Sequence, residues 1–422
     1  MNFFLFILAT ATLFIRPGEI VPAWRGVEIF MYLILPCLVL SLPQVSAQMS
    51  AKNLQSQHTT LSVLWLLAAV VASNLAHFDI ETAWWLLSLK NVVYYILLVA
   101  LVNTPRRFKA FAFSLWFFSL AFAVLAVSNH HGLIDLQIEA TLDSYEGSQI
   151  KRMTGSGLFA DPNDTCVALN LGIILSLYGM GGNFFRLPRP VYLAAALFLG
   201  YGLMQTQSRG GFIALTAALG LMLVSRYGWK KAAALGALGL PVLLFVFKGR
   251  ITTISTQETT SHQRLDQWGV ALEFFKSSPL LGIGANKFRE LSSLVAHNSY
   301  MQAYAELGFL GGTLFTGIFY LALSALYRMG RVREEIADPD LRRAQPFVMG
   351  IVASAAALML TVTQTYYMST YMIFGLATAY LRVADSPKLL KDYRLNSSFV
   401  KRLVSMSILF LIGVYVFVRL FR

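Results

Sequence analysis

Thirteen apolar runs, separated by short polar joints, follow one another along the chain. They lie near 2–15, 27–43, 61–76, 84–102, 108–128, 165–180, 190–206, 210–225, 232–247, 300–327, 346–363, 368–383 and 403–419. At ~1.5 Å per residue, a helix of such length covers most or all of a ~30 Å hydrocarbon layer. The pattern predicts an all-α polytopic integral membrane protein. It expects about 12–13 transmembrane helices in a single membrane domain, residues 1–422. The first run, Asn2–Ile15, reads as a first span, because Arg16-Pro17-Gly18-Glu19 follows it where a cleavable signal would carry small residues.

Two joints are long, 129–164 and 248–299. In the first, Asp161-Pro162-Asn163-Asp164 precedes an apolar run, which is helix-start chemistry with Asp164 as the expected N-cap. In the second, Leu265, Trp268, Leu272 and Phe275 recur every three or four residues. That spacing predicts an amphipathic helix over Arg264–Lys276 that lies on the outer leaflet or roofs the bundle, with Arg264 in its first turn. Pro279 ends it, and Gly282 and Gly284 make a bend.

Composition narrows the class. Hydrophobic residues make up 56% of the chain and charged residues 13%, too few to cover a soluble domain of 422 residues. The net charge of +13 is no nucleic-acid signature, because the cations fall between apolar runs and form no basic face. Cys37 and Cys166 sit in or beside apolar segments, without metal-ligand spacing, and read as core residues. With the N-terminus inside, 20 of the 34 Lys and Arg fall in inner joints and 13 in outer ones, with Lys90 inside a span. The excess supports that orientation. The outer arginines still need a reason, and an anionic ligand on the outer face would supply one.

The candidate chemistry gathers at outer span mouths. His297-Asn298 stands at the entrance of a run continuing to about Tyr327, with Gly308, Gly311 and Gly312 as packing sites for a neighbouring helix. An imidazole at a membrane boundary is costly unless used or paired, and its intrinsic pKa suits a general base. Arg209 lies in the hairpin QTQSRGG, beside two glycines, where it can clamp a phosphate or simply snorkel to lipid headgroups. Arg264 and Arg152 are the other candidate phosphate contacts. Glu306 and Lys90 are the charges at membrane depth, and Gln364 and Tyr366-Tyr367 occupy an outer turn.

These segments carry a resemblance. His297–Gly311 fits an H-[NSQ]-x9-G-x-x-G pattern, and GLFADPND, QSRGG and R-x3-W…SPLLGIG occur in the same order as landmarks of the bacterial O-antigen ligase and polymerase superfamily. The stretch from about 150 to 315 is similar to that superfamily, while the first and last hundred residues match it only in hydrophobicity. Ile213 stands where the family's R-x3-L motif has leucine. The resemblance implies an enzyme of the bacterial inner membrane with its active site on the periplasmic side. Such an enzyme moves a glycan from an undecaprenyl-diphosphate carrier to a glycan or lipid-linked acceptor, with inversion. No metal, cofactor or nucleic acid is expected, and the lipid bilayer is a partner. On that footing His297, Arg209 and Arg264 are expected to be catalytic, and Arg152, Arg250, Asn298, Arg289 and Gln302 to bind substrate. A polymerase joining lipid-linked repeat units is the alternative within the family. A lipid-linked oligosaccharide flippase is the alternative outside it, although its charges would be spread along a crossing path.

Overall fold

The computed structural model describes residues 1–77, 84–136, 141–145, 148–182, 187–246, 259–385 and 397–421. Its helices in chain order are α1 (Asn2–Phe14), α2 (Pro17–Ile20), α3 (Ile29–Leu40), α4 (Leu42–Gln48), α5 (Ala51–Ser56) and α6 (His58–Ala76). Then come α7 (Trp84–Leu101), α8 (Pro105–His130), α9 (Pro162–Met180), α10 (Arg189–Gln205), α11 (Arg209–Tyr227) and α12 (Trp229–Val246). The chain continues through α13 (Thr259–Ser277), α14 (Phe288–Ser292), α15 (Ser299–Arg331), α16 (Pro339–Leu358), α17 (Met368–Val383) and α18 (Ser397–Phe421). The protein is an all-α polytopic membrane protein, and every predicted apolar run coincides with a helix or, for the second run, with the bent pair α3–α4.

Among the described residues, five helices are long and apolar enough to cross a membrane unaided: α6, α8, α11, α15 and α18. The pair α3–α4, bent by 71°, is a sixth if its halves form one span. Neighbouring helices, more than lipid, cover the central ones. Nearly all of α9 is buried, and its polar residues are paired: Asn170 Nδ2 donates to the Gly211 carbonyl at 3.0 Å, and Trp116 Nε1 donates to Ser176 Oγ at 2.9 Å. Hydrogen bonding inside the bundle makes such residues tolerable at membrane depth. Around α9 pack α8, α10 and α16, while α11 lies along α16, α17 along α7 and α1 along α3. Outermost is α18, with only 11% of its most apolar window buried.

The predicted amphipathic helix is present but begins earlier, at Thr259, so Arg264 is not in the first turn. Its apolar stripe packs Ala271 and Leu272 against Met301 and Ala305 of α15 and against Val414 and Val418 of α18. Another departure from all-helical structure is an antiparallel hairpin in the first long joint, β1 (Thr141–Tyr145) with β2 (Ser148–Arg152), pairing Thr141 with Arg152.

The largest departure lies inside α15. The apolar run reads as one continuous helix, yet Gly308 adopts φ 64°, ψ −163° and breaks it. Backbone groups freed at membrane depth must find partners within the protein. The segment after α13 provides them. Phe309 N donates to the Pro279 carbonyl at 2.7 Å, and Ile283 N and Gly284 N donate to the Ala305 and Glu306 carbonyls at 3.0 and 3.1 Å. Ser73 Oγ of α6 adds a bond to the Glu306 carbonyl at 2.8 Å. The two backbones touch: a Cβ on Gly308 would lie 2.3 Å from the Leu280 carbonyl carbon, and one on Gly282 would lie 2.2 Å from that of Glu306. Gly308 is therefore a crossing point, which is more than the packing role its sequence suggests. Gly311 and Gly312 do have a packing role, under Leu307 and Tyr304.

Candidate active site

Six helices turn the same end toward one cavity of about 1170 Å³. Its wall includes the end of α1, the starts of α3, α7, α9, α15 and α17, and the loops 16–28, 157–161 and 286–297. A volume above the roughly 300–1,000 Å³ usual for a small-ligand site accommodates more than one sugar unit. The alternation of chain direction puts all these ends on the side that charge counting makes the outer one.

His297 stands in this wall, half-buried, immediately before α15. Its φ of 47° is left-handed, an uncommon backbone for a non-glycine residue and one that accumulates at functional sites. The strain is held by its surroundings. His297 N donates to Thr363 Oγ1 at 3.0 Å, Ser299 N to the Met359 carbonyl at 2.8 Å, and Ser299 Oγ to the Val362 carbonyl at 2.8 Å. The α16–α17 turn thus clasps the start of α15. Asn298 Oδ1 caps that helix, accepting from Tyr300 N and Met301 N at 3.1 Å. Burial pushes the His297 imidazole below the usual 6.5, and the positive field of Arg264 and Arg152 adds to it while Asp161 opposes it. It is therefore neutral at pH 7, the form that accepts a proton.

The N-cap of α9 is Asp161, not Asp164: Asp161 Oδ1 accepts from Asn163 N at 2.7 Å. Pro162, at the first helical position, leaves the preceding residue as the one in extended backbone that caps. Asp164 is in the first turn and lines the cavity with Asp161, two carboxylates facing the space His297 faces.

Arg152 is buried. Its Nε donates to the Thr206 carbonyl at 3.0 Å and its Nη2 to Asn163 Oδ1 at 3.4 Å, where Ser208 Oγ also donates at 2.7 Å. This ties β2, the start of α9 and the α10–α11 hairpin together. Arg152 lines a smaller recess of about 220 Å³ with His130 and Lys151, while its charge reaches His297. Arg209 is the first residue of α11 in that hairpin, half-buried, beside Gly210, whose added Cβ would meet Thr361 of the α16–α17 turn at 2.3 Å. Arg264 is half-buried on α13 and acts on His297 through space. Arg289 and Gln302 line the main cavity directly; Gln302 Oε1 also accepts from Thr365 Oγ1 at 2.8 Å. Arg250 lies outside the described residues.

Four groups in the wall were not singled out from sequence: Arg16, Arg25, Glu19 and Glu28, from the joint after the first run. Lys90, read as a charge at membrane depth, lines the cavity too. Glu306, fully buried at the α15 break, accepts from Phe288 N at 3.1 Å and Gln302 Nε2 at 3.3 Å, just behind the wall. Among the described residues no three His, Cys, Asp or Glu side chains are grouped as a metal site needs.

Fold and cavity together define a multi-span membrane protein with a chamber at one end of its bundle whose wall carries several charged side chains. Residues 194–316, which include Arg209, Arg264 and His297, match the family described as O-Antigen ligase. Over that segment the chain is similar to the O-antigen ligase superfamily, as the motif order implied. No curated protein matches the chain.

Proposed function

We propose that the protein is a glycan transferase of the periplasmic face of the bacterial inner membrane. In this reading it moves a glycan from an undecaprenyl-diphosphate carrier to an acceptor sugar, with inversion, as an O-antigen ligase-like enzyme in polysaccharide assembly. The observation that carries the reading is the place of His297 in the chamber wall, on a left-handed backbone fixed by Thr363, inside the segment that matches the family. His297 takes the proton of the acceptor hydroxyl as its oxygen attacks the anomeric carbon from the face opposite the diphosphate. The bond from that carbon to the diphosphate oxygen breaks, and the carrier diphosphate leaves with the electron pair. Arg264 and Arg209 stabilise the negative charge that grows on it, a role that fixed cations fill without a metal ion. Arg152 fastens the hairpin that presents Arg209 and adds to the positive field.

The test uses the full chain in lipid vesicles with an undecaprenyl-diphosphate-linked glycan as donor and a lipid-anchored acceptor glycan. Arg264→Ala and Arg209→Ala are expected to lower the transfer rate about 10²–10³-fold, with insertion unchanged. Appearance of donor on the opposite leaflet with no new glycosidic bond would make the protein a transporter and end the proposal.

A further inference from the structure

The cations fall into two groups: Arg264 and Arg152 stand off the chamber wall, while Arg16 and Arg289 line it. Arg264 and Arg152 act on His297. Arg16 and Arg289 line the chamber with Tyr367, Asp161 and Asp164, and the charges of all four act on Tyr367. Asp161 is common to both sets.

The second group is built with unspent hydrogen-bonding capacity. Arg16 is placed by the joint between α1 and α3, which folds back as α2 and a turn at Pro22–Trp24. Its guanidinium lies against the backbone of Gly157, where a Cβ would come within 2.1 Å of Arg16 Nε, and Gly157 has φ 59°. Only glycine leaves that seat open without strain. Arg16 has one ion pair, Nη1 to Glu19 Oε1 at 3.3 Å, between side chains 47% and 33% exposed. Such a pair contributes little and leaves most of the five guanidinium donors unused. Arg289, on the exposed face of α14, makes no hydrogen bond or ion pair among the described residues and lines the same chamber. Carboxylates also line it: Glu19, paired with Arg16, together with Glu28, Asp161 and Asp164. The lining therefore suits a sugar carrying a localised anion, with hydroxyls met by carboxylates, rather than a purely anionic chain.

We propose that Arg16 and Arg289 form a second anion-binding subsite, which holds a phosphate-type group on the acceptor and so orients its hydroxyl toward His297. The proposal rests on the transferase reading and divides the chamber between the two substrates. The donor diphosphate lies on the Arg264 side and the acceptor on the Arg16–Arg289 side. The anion has two chemical sources, a phosphate on an oligosaccharide core or the diphosphate of a second lipid-linked repeat unit.

The experiment measures transfer by the full chain in vesicles at varied acceptor concentration. Three acceptors are compared: a phosphorylated lipid-anchored core, the same core after phosphatase treatment, and a diphosphate-linked repeat unit. For Arg16→Ala and Arg289→Ala the acceptor KM is expected to rise about tenfold or more for whichever phosphate-bearing acceptor the parent uses, as expected for the loss of a charge-assisted hydrogen bond. Donor KM should not change, kcat should stay within about twofold, and the parent's preference over the phosphatase-treated core should vanish. Arg289→Ala removes an exposed side chain and keeps the test open if Arg16→Ala destabilises the joint. Preference for the core identifies a ligase-type acceptor, and preference for the repeat unit a polymerase-type one; either supports the subsite. An unchanged acceptor KM in both variants, or a parent indifferent to the phosphate, overturns it. Absence of transfer by the parent under all conditions counts instead against the transferase reading.

Discussion

Replacing His297 is expected to stop glycan transfer while the protein continues to insert and fold. His297→Ala should lower the rate about 10²–10⁴-fold, the range over which a positioned general base acts. The alanine variant carries a complication of its own. A left-handed backbone at φ 47° is unfavourable to alanine by about 1 kcal/mol, whereas asparagine tolerates it better. His297→Asn is therefore the cleaner variant, since it keeps the backbone bond to Thr363 and removes only the base. The pH profile gives an independent reading. Because burial and arginine charge lower the imidazole's pKa below 6.5, the neutral base is the main form from pH 7 down to the ordinary histidine range. Transfer should stay flat across that interval and fall with unit slope only at more acidic pH. Removing the Arg264 charge takes away a lowering influence, so in Arg264→Ala the acidic limb should shift toward higher pH. A His297→Asn protein that transfers at the parental rate, or an acidic limb above pH 6.5 in the parent, would sink the assignment.

The sequence carried much of this site because membrane helices announce themselves by composition over local windows. Each apolar run became a helix, and His297, Arg209, Arg264 and Arg152 were visible as charges at span mouths, where solvation makes idle polar groups expensive. Three features were not legible, each for a physical reason. Arg16 reaches the chamber only because α1 and α3 turn that end toward α9 and α15, a tertiary placement that no local pattern records. Asp161 displaced Asp164 as the cap because Pro162 fits the first helical position, a detail of one turn within a motif otherwise read correctly. The break in α15 was hidden because the run stays apolar through Gly308, and its pairing with 279–284 is made by main-chain atoms, which leave no side-chain signature.

That break supports the second large expectation. Gly308→Ala should cost more stability than any other single-methyl addition in the glycine-rich part of the motif. The new Cβ would face the Leu280 carbonyl carbon at 2.3 Å, its oxygen at 2.4 Å and Leu281 N at 2.5 Å, all main-chain atoms that no side-chain rotation can move aside. To the ~1–3 kcal/mol for alanine in this essentially glycine-only backbone region is added the loosening of the bonds from Phe309 N, Ile283 N and Gly284 N. Each is worth about 0.5–1.5 kcal/mol, and more where no water can replace it. A loss of several kcal/mol should lower the midpoint of thermal inactivation in detergent by roughly 10 °C or abolish accumulation altogether. The contrast is Gly220→Ala in α11, where a Cβ meets nothing within 4 Å; there the helix should hold its stability or gain up to about 1 kcal/mol. The consequence for function follows from position. The short half-helix from Ser299 to Leu307 carries Gln302 and Glu306 and is clasped at its start beside His297, so the crossing at Gly308 sets where the base stands relative to the arginines. Partial rescue by lipid of a Gly308→Ala protein should therefore restore folding before it restores transfer. A variant with the parental inactivation midpoint would show that the crossing does not fix the half-helix.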